Sequence, residues 1–185
     1  MKQSILAVVL LTLMSGVRAD EPYDFKGLKL GTELNSVEAQ GRWLCRDPDN
    51  PIADTVCFLD AAHTESIAGV AAQGVMLRFY DGQLSSIVVY FPEGGFGTVL
   101  SALKEKYGRP AEEKNDVVSD RAGAKIENHE VVWTNAASTI TASGITATQR
   151  TGRVDLPVVS FDSADILKKF NERRDRQGKQ EAKDI

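Results

Sequence analysis

The sequence is poor in the side chains on which most enzyme chemistry depends. It has two cysteines and two histidines among 185 residues. It contains no CxxC pair, HExxH helix, GxSxG elbow or phosphate-binding loop with a lysine. These absences argue against a redox dithiol, a zinc protease, an α/β-hydrolase and a P-loop nucleotide enzyme. We therefore expect no cofactor, no metal site and no catalytic residue, and we lean towards a protein that is not an enzyme.

Long apolar runs are also scarce. The longest, Ile5 to Met14, is broken only by Thr12 and is shorter than the roughly 20 residues that cross a membrane. It follows Lys2 and precedes small residues that suit a signal peptidase, with cleavage after Ala19. We predict a signal peptide at 1–19 and a soluble periplasmic protein without a lipid anchor, since no cysteine follows the run. A retained N-terminal anchor is the alternative.

Positive charge is not in excess. The chain has 22 Lys and Arg against 26 Asp and Glu, and removing residues 1–19 would take away only Lys2 and Arg18. Nucleic acids and anionic lipid surfaces both select for clustered basic residues. We therefore expect neither as a partner.

The two cysteines, Cys45 and Cys57, lie close together in the sequence. In an oxidising compartment such a pair predicts a disulfide, which we expect to close a loop rich in turn formers. The alternatives are a redox or metal-binding cysteine pair, or a Ca²⁺ site formed by Asp47, Asp49 and Asp54. The loop has neither the glycine nor the terminal glutamate of an EF-hand.

Two stretches, 30–34 and 96–100, share the pattern apolar-Gly-Thr-x-Leu, and each opens a short amphipathic segment that ends at a glycine. We expect Thr32 and Thr98 to be the helix N-caps. The predicted organisation has four parts: a signal peptide (1–19), a first helix-plus-hairpin unit with the disulfide loop (20–91), a second helix-plus-strands unit (92–162), and a C-terminal helix with a charged tail (163–185).

Alternating apolar and polar residues flank Asp81-Gly82 and predict a β-hairpin. A two-residue turn without a bulge would place the apolar residues of the second strand on the wrong face. One bulged residue brings both apolar sets to one buried face: Val75, Leu77 and Phe79 with Ile87, Val89 and Phe91.

Beyond residue 110 we predict four more strands and a last helix. The helix is capped by Ser163, and the charged residues after Phe170 are expected to fray into a solvated tail, with a partner-binding tail as the alternative. The fold class is α+β, with short helices on a curved antiparallel sheet and two tandem helix-then-strands repeats. The predicted strands lie near 111–118, at 125–134, at 139–150 with a bulge at Gly144, and at 154–161, where Pro157 implies an edge strand or a break.

The outward side of the hairpin carries Met76, Arg78, Tyr80 and Tyr90, residue types that are enriched in protein interfaces. We take these four residues as the candidate binding surface. Alternatively, the second unit or the C-terminal helix covers this side.

The histidines, His63 and His129, offer a weaker possibility. His129 alternates with Val131 and Trp133 in a predicted strand, and a hydrolase would pair it with a carboxylate such as Asp116 or Glu130. Two ordinary polar histidines are the simpler interpretation.

Leu30-Gly31-Thr32-x-Leu34-x-x-Val37, followed by strands, resembles the small module of the outer-membrane assembly lipoprotein SmpA/BamE. Two such modules in tandem resemble the β-lactamase inhibitor protein architecture, and the ending Lys-Tyr-Gly-Arg-Pro at 106–110 is similar to many uncharacterised periplasmic proteins of this kind. The resemblance covers residues 25–161 and implies a fold of helices on a sheet. The lipidation cysteine of SmpA/BamE is absent, and no functional residue is carried over.

Together these observations predict a non-enzymatic extracytoplasmic module that binds another envelope or periplasmic protein, in the manner of an inhibitor or an envelope-associated factor. The alternatives are a small periplasmic hydrolase that uses His129 and a carrier with an apolar pocket for a small ligand.

Overall fold

The computed structural model describes residues 21–48, 53–119, 125–148 and 153–181. The helices are α1 (Leu34–Glu38), α2 (Phe96–Tyr107) and α3 (Ala164–Glu181), and a 3-10 turn at Glu93–Gly95 leads into α2. The strands are β1 (Asp24–Phe25), β2 (Leu28–Lys29), β3 (Trp43–Arg46), β4 (Thr55–Leu59), β5 (Ser66–Ile67), β6 (Val70–Ala71), β7 (Gly74–Tyr80), β8 (Gln83–Tyr90), β9 (Glu112–Ser119), β10 (Lys125–Thr134), β11 (Ser138–Ser143), β12 (Thr146–Thr148), β13 (Arg153–Asp155) and β14 (Val158–Ser163).

One eight-stranded antiparallel sheet forms the body of the fold, with strand order β3-β4-β7-β8-β14-β11-β10-β9. The pairs β1–β2, β5–β6 and β12–β13 form separate small hairpins. The four main strands that follow α1 and the four that follow α2 meet where β8 pairs with β14. The predicted α+β class, with few helices packed on a large antiparallel sheet, is confirmed.

The core lies between the inner face of this sheet and the first two helices. Alternate residues of the central strands, including Leu77, Ile87 and Phe161, are buried in one cluster with Val37 of α1 and Val99 of α2. Fully burying an aliphatic or aromatic side chain contributes about 1.5–3 kcal/mol, so this layer supplies most of the stabilisation. α3 packs on the opposite, outer face, where Phe170 contacts Tyr80.

The central hairpin has the predicted bulge. Asp81 and Gly82 form the two-residue turn, both with positive φ as a type I′ turn requires. The register shifts next to Phe79, leaving Ser85 without a cross-strand partner, and from there Leu77 lies opposite Ile87. The shift keeps the apolar residues of both strands on the buried face. Phe79, however, lies opposite Leu84 and not opposite Ile87, Val89 or Phe91, the residues predicted to align with this strand.

The stretch from Cys45 to Cys57 is not simply a loop. Both cysteines lie in strands and are directly opposite each other across β3 and β4, where they form a disulfide. The disulfide prediction is confirmed and the loop prediction is wrong at both ends. Leu44 points to the outer face and is 60 % exposed, because strand alternation sends it away from the half-buried Trp43.

Neither predicted threonine N-cap is present. α1 begins after Glu33, and the Thr32 hydroxyl instead donates a hydrogen bond to the Lys29 carbonyl. α2 begins at Phe96, two residues before Thr98, because the 3-10 turn already directs the chain into the helix. The predicted cap of the last helix is correct, since Ser163 Oγ accepts from the Ile166 N–H.

The second unit follows the predicted strands with two interruptions. The third predicted strand breaks at Gly144, and the fourth breaks around Pro157, after which β14 lies in the centre of the sheet rather than at an edge. Residues 120–124, between the first two predicted strands, and residues 149–152, at the end of the third, fall outside the described residues. In the described part of the chain beyond Phe170, α3 continues as a helix to Glu181, so the expected fraying is not observed there.

Candidate functional site

The predicted binding surface lies on the outer face of the sheet. Met76, Arg78 and Tyr80 alternate with the core residues of β7, and Tyr90 shares their face on β8. The sequence therefore placed all four side chains on the correct face. Met76 and Tyr80 are nevertheless only 8 % and 6 % exposed, while Arg78 and Tyr90 are half-buried. Met76 and Tyr80 therefore lie on the outward side of the hairpin but are not exposed there.

The C-terminal helix covers Tyr80. The ring of Phe170 meets the Tyr80 ring edge-on at 5.4 Å between centroids, and the Arg173 guanidinium lies 4.6 Å from the centre of the same ring. Arg173 also forms ion pairs with Asp54 and, at 3.6 Å, with Asp81. The alternative that the C-terminal helix covers this side therefore holds at Tyr80, and Asp54 serves as an anchor for α3.

The outer face also carries an apolar strip. Leu44, Phe58, Met76 and Val88 lie side by side on β3, β4, β7 and β8, as their cross-strand pairing shows. The exposed fraction rises steadily along this row, from 4 % at Val88 to 36 % at Phe58 and 60 % at Leu44. We call these four residues the outer strip.

Sequence reasoning missed the exposed half of the outer strip. The turn formers between Cys45 and Cys57 predict a loop and obscure the strand β4, although its β-branched and aromatic residues Val56 and Phe58 favour a strand. Arg46 lies beside the strip with its guanidinium 5.5 Å from the centre of the Phe58 ring. Phenylalanine and arginine are residue types enriched at protein interfaces, and a cation above an aromatic ring is a favourable contact.

His129 lies in a small polar cluster on the inner side of the sheet, next to the start of α2. Its Nε2 is 2.8 Å from Glu113 Oε1, and Lys104 Nζ is 3.0 Å from both carboxylate oxygens of Glu113. The Phe96 ring packs edge-on against the imidazole at 5.8 Å. The carboxylate partner is thus Glu113, not Asp116 or Glu130 as expected.

The other carboxylates near this cluster have different partners. Glu130 pairs with Lys114 at 3.0 Å, since residues 130 and 129 face opposite sides of β10. Hydrogen bonds from Lys104, and secondarily from His129, hold the pKa of Glu113 below its ordinary value. Glu113 therefore stays ionised near neutral pH and accepts from both groups.

This pair has one element of an acid–base site, a histidine oriented by a carboxylate. In the described ranges, no Ser, Thr or Cys side chain hydrogen-bonds to His129, so the pair lacks a nucleophile positioned for attack. His129 and Glu113 are 32 % and 39 % exposed, which leaves them close to water. His63 is exposed in the loop after β4, with its backbone N–H donating to the Asp60 carbonyl.

A second polar cluster, also missed by sequence reasoning, ties the small hairpins to the sheet. Glu65 accepts from Lys26 Nζ at 2.8 Å and from Arg42 Nη2 at 2.6 Å. Burial opposes ionisation of Glu65, but the hydrogen bonds from Lys26 and Arg42 outweigh it and lower the pKa of Glu65. Because its three members are far apart in the sequence, only the tertiary fold brings them together.

Within the described ranges, no three His, Cys, Asp or Glu side chains come together as metal ligands would. No helix there is both long and apolar enough to cross a membrane. Comparison of the chain with protein-family models, with curated proteins and with solved structures finds no significant match.

Proposed function

We propose that the protein is a non-enzymatic extracytoplasmic module that binds another envelope or periplasmic protein through the outer face of its sheet. The observation that carries this proposal is the outer strip, whose exposed end lies on the edge strand β3 and its neighbour β4. The N-terminal sequence expected to be a signal peptide and the Cys45–Cys57 disulfide support an oxidising compartment.

The exposed end of the outer strip is apolar, which suits a protein partner. Leu44 and Phe58 keep much of their surface in water, while Met76 and Val88 form the buried floor behind them. Burying the exposed part of such side chains yields about 25 cal/mol per Å² of apolar area. The sheet surface is also rigid, because the disulfide holds β3 against β4, so little conformational entropy is lost on binding.

The proposal shifts the binding surface relative to the sequence-based candidate residues. Met76 remains in it as part of the floor, and Arg78 and Tyr90 border it on the same face. Tyr80 is occupied by α3, so it contributes only if α3 moves. We further propose that the chain is built from two tandem units resembling the SmpA/BamE module, which the meeting of the two strand sets at β8 and β14 supports.

The test is site-specific photocrosslinking in the cells that naturally make the protein. A photoreactive residue replaces Leu44 in one strain and Val117 in another. Val117 is a matched control, since it is an apolar residue 61 % exposed on β9, at the opposite end of the sheet. We expect one dominant envelope or periplasmic protein to be captured from position 44 and not from position 117.

Two further substitutions decide whether the captured protein binds through the strip. Phe58→Asp should abolish crosslinking from position 44, because it places a charge in the apolar row, whereas Val117→Asp should leave it intact. Equal capture from both positions, or capture that survives Phe58→Asp, would contradict binding through the outer strip.

A hydrolase remains the second candidate function, and the observation that favours it is the 2.8 Å contact between His129 and Glu113. If this pair is catalytic, purified protein turns over an ester or amide substrate, and both His129→Gln and Glu113→Gln abolish the turnover. His63→Gln is the control, because His63 lies in an exposed loop. Activity that survives His129→Gln rules out this candidate.

A further inference from the structure

A pocket of about 190 Å³ lies between α2 and the turns of two small hairpins. Its floor is formed by core residues of the inner face, among them Phe25, Leu103 and Phe161. The Lys26 turn and the Ala68 turn form one wall, and α2 forms the other. The pocket is thus apolar at its base and partly open to solvent at its mouth.

The elements that line this pocket are joined to each other by hydrogen bonds and packing contacts. Lys26 of the first hairpin binds Glu65 at 2.8 Å and Ser66 at 3.2 Å, which joins the two hairpins across the mouth. On the far side, Val70 of the second hairpin packs directly on Gly95, just before α2. The space therefore lies between elements that are tied to each other, as in a preformed ligand site.

The size of the pocket limits the ligand to a small group. Pockets that take drug-sized molecules have volumes of about 300–1,000 Å³. An apolar cavity of about 150 Å³ is enough for benzene. A space of about 190 Å³ therefore accepts one aromatic ring or a branched alkyl group of similar size.

The mouth of the pocket supplies a cation. The lining residue Lys106 extends from the last turn of α2, and its Nζ lies 4.9 Å from the centre of the Tyr107 ring. In the described ranges no carboxylate oxygen comes within 4.0 Å of it, whereas the ammonium of Lys26 is already paired with Glu65. Asp24, the acidic lining residue, accepts the Gly27 N–H. The Tyr107 side chain and, to a smaller degree, the Asp24 carboxylate raise the pKa of Lys106, so the ammonium stays charged at neutral pH.

We propose that this pocket binds a small carboxylate with one aromatic or branched aliphatic group, the apolar group lying on Phe25 and Leu103 and the carboxylate at Lys106. This site is separate from the outer strip and does not depend on binding of a protein there. The apolar floor supplies most of the affinity, and Lys106 selects against neutral and cationic analogues.

The test uses phenylacetate, phenylacetamide and phenethylamine as probes of equal size and different charge, titrated into ¹⁵N-labelled full-length protein. We expect phenylacetate to shift the backbone amides of α2 and of the Lys26 turn, with a Kd on the order of millimolar, as suits a ligand of this size. The neutral amide should bind about two- to fivefold more weakly, which is the range for one exposed ion pair.

Substitutions test the charged group and the apolar floor of the site separately. Lys106→Gln should reduce phenylacetate to the affinity of the amide without changing the affinity of the amide. Ala102→Leu fills the pocket and should abolish binding of both, whereas Ser101→Leu, which adds the same side chain on the exposed side of α2, should leave both intact.

Three results would overturn the proposal. The first is the absence of saturable shifts in the wild-type protein, and the second is unchanged binding in a folded Ala102→Leu variant. The third is equal affinity for all three probes, which would refute the carboxylate assignment while leaving an apolar pocket. If Ala102→Leu does not give a folded spectrum, Lys106→Gln alone still decides the charge preference.

Discussion

Gly95→Ala is expected to destabilise this protein, although replacing a glycine by alanine beside a helix usually has the opposite effect. Gly95 has φ of −87°, a conformation that alanine adopts without strain. An added Cβ would, however, lie 2.6 Å from Val70 Cγ1, about 0.8 Å closer than the 3.4 Å at which ordinary contact begins. Val70 cannot swing away cheaply, because a β-branched side chain has few rotamers.

The magnitude follows from two opposing terms. Overpacking of this kind costs about 1–3 kcal/mol. Reduced freedom of the unfolded chain returns about 0.4–1 kcal/mol. The net loss spans about 0–2.6 kcal/mol and is centred near about 1.3 kcal/mol, which for a chain of this length lowers Tm by about 3–5 °C.

The assay is urea denaturation followed by circular dichroism, with Gly94→Ala as the matched control. A Cβ at Gly94 meets nothing within 4 Å, so this variant should be as stable as the wild type or slightly more stable. In the double variant Val70→Ala with Gly95→Ala the clash disappears, and the coupling energy should reach about 1 kcal/mol. Equal stability of the Gly94 and Gly95 variants, or no coupling with Val70, would refute the predicted contact.

Three more predictions concern the clusters that hold the fold together. The folded-state pKa of Glu65 lies below its ordinary value near 4.5, so its ion pairs stabilise the protein above that pH and are lost as pH falls through the folded-state pKa. The urea midpoint of the wild type should therefore fall between about pH 7 and pH 3, and it should fall less in Glu65→Gln. An identical fall in both proteins would contradict this. Phe170→Ala should lower the free energy of unfolding by about 1–2 kcal/mol, which is less than for a fully buried ring because Phe170 is half-buried. It should also speed hydrogen exchange in α3. The control Glu172→Ala, at an exposed position on the same helix, should stay within about 0.5 kcal/mol of the wild type. Replacing both Cys45 and Cys57 by serine should lower the free energy of unfolding by about 3 kcal/mol relative to the oxidised wild type. A loss of under about 0.5 kcal/mol would mean that the disulfide contributes little to the stability of the sheet.

The parts of the fold that depend on local pattern were predictable. The hairpin around Asp81-Gly82 carries both a turn sequence and an alternation that only one bulged register satisfies, and both are observed. The amphipathic segment that begins at residue 96 likewise corresponds to α2, in which Leu100 and Leu103, three residues apart, are buried on one face. In these two segments the local sequence pattern was sufficient to predict the secondary structure and the buried face.

Other local features were missed because their sequences lack the usual signature. The hairpin turns at Lys26-Gly27 and Ala68-Gly69 have positive φ at both residues, yet neither begins with the Asn or Asp that commonly marks such a turn. β3 and β4 are short strands on either side of a region rich in turn formers, so their pairing depends on the rest of the sheet. Tertiary context overrides weak local preference in such segments.

The composition and local pattern of the sequence by themselves determined the α+β class, the central hairpin, the disulfide partners and the face on which Met76 and Tyr80 lie. Only the tertiary structure decided that α3 covers Tyr80, that Glu113 is the partner of His129, and that Leu44 and Phe58 are exposed. The physical reason is that a strand's alternation specifies which residues share a face. What covers that face depends on elements distant in the chain, whose packing is decided by the free energy of the whole fold.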